Sequence, residues 1–110
     1  MQWELRNHGV ELEEGVREHV ERRLQFALSR FGSKIVRIVV SLSDVNGPRG
    51  GMDKSCQIVV HLKGMKDIIA DIVDTGWIVA IDRATNRIGH SVSRQMERKR
   101  SFEHESAAGV

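Results

Sequence analysis

The sequence predicts an α+β domain with the order β-α-β-β-β-α, a four-stranded mixed sheet with two helices packed on one face. Three observations carry this. The apolar period switches from two to about 3.6 and back again along the chain. Two of the period-two runs flank VNGPRGG at 45–51, a segment rich in turn formers, so they should pair as an antiparallel hairpin. Each helical run has a single apolar stripe, so both helices need the same covering surface.

Taken in order, QWELRN (2–7) alternates, with Trp3 and Leu5 opposite Glu4 and Arg6, as a strand does. Over 11–31, Leu12, Val16, Val20, Leu24, Leu28 and Phe31 recur at four and three residues, which predicts an amphipathic helix. Gly32 is its expected C-cap, and Gly15 weakens its first turn by about 1 kcal/mol. KIVRIVVSLSD (34–44) places Val36, Ile38, Val40 and Leu42 on one face and Ile35, Arg37, Val39 and Ser41 on the other. KSCQIVVHLK (54–63) places Cys56, Ile58, Val60 and Leu62 against Gln57, Val59, His61 and Lys63. Gly64-Met65 turns the chain into a last strand over 66–73, and a final helix covers 76–100 with Asp74 or Thr75 as its cap. The first and second strands flank a helix, so they should run parallel. Ile35, Val39 and Val59 leave a modest apolar patch on the far sheet face.

The 110 residues amount to one domain, read as 1–100, with 101–110 expected to be a disordered tail. A chain of this size buries roughly 65% of its unfolded surface. The longest apolar run, WIVAI at 77–81, is far short of the ~20 residues of a membrane span. No membrane partner and no signal peptide are expected. The single Cys56 fits a reducing, cytoplasmic setting. It lies on the core face of a strand, where an inert thiol is expected. The five histidines, 8, 19, 61, 90 and 104, lack metal-ligand spacing, and no paired acids suggest a pocket. The expectation is therefore no enzyme, no cofactor, no metal and no small-molecule substrate.

Lys+Arg number 17 and Asp+Glu 15, a net charge of +2. That near-neutral sum hides uneven parts. Within 77–100, six basic residues face two acids. Winding this helix puts Trp77, Ile81, Ala84, Ile88 and Val92 in one arc, and Arg83, Arg87, His90, Arg94 and Arg98 in a second, each within about 80°. The basic row is about 22 Å long. It lacks interleaved acids at i,i+4, which favours an anionic partner over a merely solvated face. On the first helix, Glu11, Glu14, Glu18 and Glu21 share one side, and His19, Arg22, Arg23, Arg30 and Phe26 share the other. If that basic flank faces the second helix, the two make one positive surface with an acidic rim. Phe26 could stack on a base or ribose, or serve as a peripheral core residue. The 45–51 loop lacks the Lys-Ser/Thr of a P-loop and reads as a hairpin turn, from which Arg49 and Lys54 are within reach of a phosphate.

LSDVNGPRGGMDKSC (42–56), the QIVVHL strand (57–62), AID (80–82) opening a basic helix, and VELEEGVREHVERRL (10–24) resemble the ribosome-associated inhibitor and hibernation-promoting factor family, once called sigma-54 modulation proteins. The resemblance covers about residues 2 to 100. It implies a fold similar to double-stranded-RNA-binding domains and binding to rRNA in the decoding channel of the small ribosomal subunit, over tRNA and mRNA positions, to silence ribosomes under stress. It points to Arg17, Arg23, Arg87, His90, Arg94 and Arg98 as basic contacts. To these the charge pattern adds Arg22, Arg30, Arg49, Lys54 and Arg83. The chain departs from the family pattern at Ile78, where an aromatic is usual and Trp77 stands beside it, and at Glu13, where Thr is common. A short form is expected, without the C-terminal domain by which long members pair ribosomes. The competing readings are a general structured-RNA-binding module and a protein-interaction regulator of transcription.

Overall fold

The computed structural model describes residues 2–45 and 53–108, with side chains described as far as residue 100. Its elements are β1 (Trp3–Asn7), α1 (Val16–Leu28), β2 (Ile35–Asp44), β3 (Lys54–Leu62), β4 (Ile68–Asp74) and α2 (Trp77–Ala108), with a short 3-10 helix, Ser29–Lys34, between α1 and β2. The sheet order is β1-β2-β3-β4. β1 and β2 run parallel, as a crossover through a helix requires. The other two pairings are antiparallel.

One core lies between the sheet and the helices. α1 contributes Val16, Val20, Leu24 and Leu28, and α2 contributes Trp77, Ala80, Ile81, Ala84, Ile88 and Val92. The strands supply Ile38, Val40, Leu42, Cys56, Ile58, Val60, Ala70 and Ile72. α2 lies across β3 and β4 and packs beside α1. Trp77 is buried in the core while Ile78 is 44% exposed.

Several local expectations need correcting. α1 begins at Val16 rather than 11, because Gly15 caps it with φ 87°, a left-handed conformation that stops the helix from extending backwards. Gly32 is no left-handed C-cap. α1 ends at Leu28, and Gly32 lies inside the 3-10 segment. Strand alternation breaks at Val36, where a bulge sets Ile35 opposite Leu62 and Arg37 opposite His61. The extra residue turns Ile35 into the core and leaves Val36 52% exposed. The outer apolar row is therefore Val39, Val59 and Ile69, in register beside Glu4. The β3–β4 turn uses Gly64 at φ 65°. Asp74 accepts from the Thr75 amide and from Arg83, while Gly76 supplies the carbonyl that accepts from the Ala80 amide at the start of α2. The helix continues to Ala108, past residue 100. Residues 101–108 (SFEHESAA) contain no Gly or Pro to end it.

Candidate nucleic-acid interface

The α1–α2 seam fixes the orientation that the sequence leaves open. His19 Nε2 lies 2.6 Å from Asp82 Oδ1. Arg23 Nη2 donates to Asn86 Oδ1 at 2.7 Å, and Arg23 Nε lies 3.4 Å from Asp82 Oδ1. One turn further on, Gly89 meets Ala27 so closely that a Cβ there would sit 3.4 Å from the Ala27 Cβ and carbonyl oxygen. Residues 82, 86 and 89 recur at four and three, so they share one flank of α2. The basic flank of α1 therefore faces α2. Its acids Glu18 and Glu21 are exposed on the far side.

The α2 basic row lies on the opposite flank, over the solvent crest and toward the β4 edge. Arg83, Arg87, His90, Arg94 and Arg98 are all exposed. Arg83 is tied to Asp74 Oδ2 at 2.7 Å. Arg87, His90, Arg94 and Arg98 have no ion pair among the described residues, nor do Arg22 on α1 and Arg30 in the 3-10 segment that follows it. Cations on the sheet behave differently. Arg37 and Arg6 both bond Glu4, at 2.8 and 3.2 Å, and His61 pairs with Asp67. Among the described residues, the exposed arginines without an ion pair thus lie on the helical side, while Lys63 and Lys66 are exposed near the β3–β4 turn.

Other expected contacts are placed elsewhere or already engaged. Arg17 lies on the α1 flank away from α2, its guanidinium 4.9 Å from the centre of the Trp3 ring. Arg23 is held within the seam by Asp82 and Asn86. Lys54 Nζ sits 2.8 Å from Asp44 and 3.4 Å from Asp53, and 5.7 Å from the Trp77 ring. The hydrogen bond to Asp44 raises the lysine pKa above its ordinary value, with Asp53 adding to it against the opposing effect of burial. The Lys54 ammonium thus balances two carboxylates, one of them on the buried Asp53. Arg49 lies outside the described residues.

Three features escape the sequence pattern. Asp82 and Asn86 form the polar clamp between the helices. Lys34, Lys99 and Arg100 line a recess around Met65 and Met96 at the far end of α2. A groove of about 400 Å³ between the helices is lined by Phe26, Arg30, Asn86, Gly89 and His90. The signal for the clamp was the polar and small row 82, 86, 89 and 93, whose spacing matches the apolar stripe. Cys56 is fully buried, and burial pushes its thiol pKa up to about 12, helped by Asp71. Among the described residues no cluster of three or more His, Cys, Asp or Glu could hold a metal ion, and no helix is long and apolar enough to cross a membrane.

The Thermus thermophilus Protein Y N-terminal domain is 26% identical with a TM-score of 0.68, over 86% of this chain and 98% of that one. A ribosomal subunit interface protein from Coxiella burnetii shares the fold at 19% identity and a TM-score of 0.72, over 88% and 99%. No curated protein matches the sequence. The model of the sigma 54 modulation protein / S30EA ribosomal protein family matches residues 4–100, and the chain belongs to that family, the hibernation-promoting factors.

Proposed function

We propose that the protein is a non-catalytic ribosome-binding factor. It lays its two-helix basic face on rRNA of the small subunit, covers the sites of mRNA and tRNA, and so silences ribosomes in the cytoplasm under stress. The observation that carries this reading is the exposed row Arg87, His90, Arg94 and Arg98, unpaired among the described residues. Arginines in such a row repel one another until phosphates neutralise them, and each has bidentate geometry for a phosphate. The family's ribosomal name, and the ribosomal subunit interface protein from Coxiella burnetii that shares the fold, support the choice of the ribosome as partner. Affinity would come mainly from phosphate contacts and released counterions, and the site from RNA shape.

The test is co-sedimentation with purified ribosomes over a series of salt concentrations. The expected result is binding to the small subunit that weakens steeply as salt rises. Absence of co-migration at low salt removes the proposal. Equal competition by any free RNA duplex replaces it with general structured-RNA binding. Binding to a protein partner with little salt dependence replaces it with an interaction regulator.

A further inference from the structure

We propose that the groove between α1 and α2 is a subsite for one unpaired RNA nucleotide, with its base stacked on Phe26. RNA as the partner rests on the ribosome-binding reading above. The starting observation is Phe26 itself, 82% exposed on a helix whose other large apolar residues are buried or half-buried. Its ring borders the groove of about 400 Å³, within the size range of small-ligand pockets. The Arg23 guanidinium lies over one face of the ring, 5.6 Å from its centre, so a base would stack on the other face, beside that positive charge.

The floor of the groove is the close approach of Gly89 to Ala27. Its walls carry Arg30 from the 3-10 segment after α1, its guanidinium 4.6 Å from the centre of the Phe31 ring, and Asn86 and His90 from α2. The Asn86 side-chain oxygen is already taken by Arg23, which leaves its amide N–H groups as donors. Arg30 adds a cation. A groove offering an aromatic face, amide donors and positive charge complements a base, its acceptor edge and its phosphate. Duplex RNA keeps its base faces inside the stack, so only an unpaired base can use the Phe26 ring. His90 belongs to both the groove and the basic row, so a nucleotide seated here would continue into the phosphate track along α2.

The experiment is fluorescence anisotropy with two labelled RNAs, a hairpin with an unpaired adenosine loop and a blunt duplex of the same stem. Wild type is expected to prefer the hairpin. Phe26→Ala should lose that preference, by roughly five- to hundred-fold. Its salt slope should be unchanged, because a stack releases no counterions. Phe26→Trp should keep the preference. Exposure of the side chain makes folding of both variants the expectation, checked by circular dichroism. The proposal is overturned if Phe26→Ala binds both RNAs as wild type does, or weakens equally toward both. Ribosome co-sedimentation run in parallel separates the two readings. Wild type that binds ribosomes but shows no hairpin preference overturns the subsite alone, whereas wild type that binds neither RNA nor ribosomes overturns both.

Discussion

Arg83 sits on the same helical row as Arg87 and Arg94, yet its guanidinium donates to Asp74 Oδ2. That bond, with the Thr75 amide second, holds the Asp74 carboxyl below its ordinary value against the opposing effect of burial. The consequence for stability has a definite sign. A carboxyl with a depressed folded pKa adds stability above its unfolded value, about 3.9. That stability disappears as pH falls through the lower folded value. Arg83→Gln should therefore narrow the drop in Tm between neutral pH and about pH 3, measured by thermal melts. The effect should be modest, because Arg83 is half exposed and water screens such pairs. A drop as large as in wild type would show that the pair does not bear on stability. The same bond makes Arg83 a weaker phosphate ligand than its row neighbours, since binding RNA would require it to leave Asp74.

At the scale of elements, the α1–α2 seam sets positive charge against helix packing. Asp82 lies inside a basic surface and ties down His19 and Arg23. Asp82→Ala should loosen the helix pair, at about 1 kcal/mol after allowance for partial exposure. That corresponds to a Tm loss of about 5 °C for a chain of this size. The same change removes the carboxylate that neutralises Arg23 while leaving its bond to Asn86, so RNA affinity at low salt should rise and the log–log salt slope should steepen by about one unit. Arg23→Ala combined with Asp82→Ala should lose the extra slope and keep the lower Tm. Titration of each variant with RNA across salt checks this, and weaker binding by Asp82→Ala would contradict it. The seam is also where sequence patterning runs out. The apolar stripes of α1 and α2 were legible because burial imposes a 3.6-residue period. The basic row was legible because charge avoids the core. Which flank of each helix faces the other depends on pair geometry such as Gly89 on Ala27, which no single helix encodes. Backbone irregularities escaped for a related reason. The Val36 bulge moves Ile35 to the other face, and alternation carries no mark of where an extra residue enters. Gly15 did mark the weak start of α1, though its left-handed φ, which moves the boundary to Val16, is a property of the folded backbone.

At the scale of the whole molecule, a net charge of +2 coexists with a strongly polarised surface. The sheet pairs Arg6, Arg37 and His61 with acids, and the acidic flank of α1 forms a rim. The helical crest carries the unpaired arginines. α2 is also long, 32 residues, and contributes to a molecule of 60 × 23 × 18 Å. Among the residues of α2 whose side chains are described, Val92 is the last that is fully buried, and Arg94 and Arg98 follow it as exposed residues. Neither has an ion pair among the described residues, and their removal should leave the fold intact. Arg94→Ala with Arg98→Ala should therefore keep the wild-type Tm, within about 0.5 kcal/mol of stability. It should lower the log–log salt slope of RNA or ribosome binding by roughly one to two units, one for each phosphate no longer neutralised. Lys54→Ala serves as the contrasting variant. Its ammonium is engaged with Asp44 and Asp53, so it should lower the Tm while leaving the slope unchanged. If the double arginine variant keeps the wild-type slope and Lys54→Ala reduces it, the phosphate track runs along the hairpin end of the sheet and not along α2.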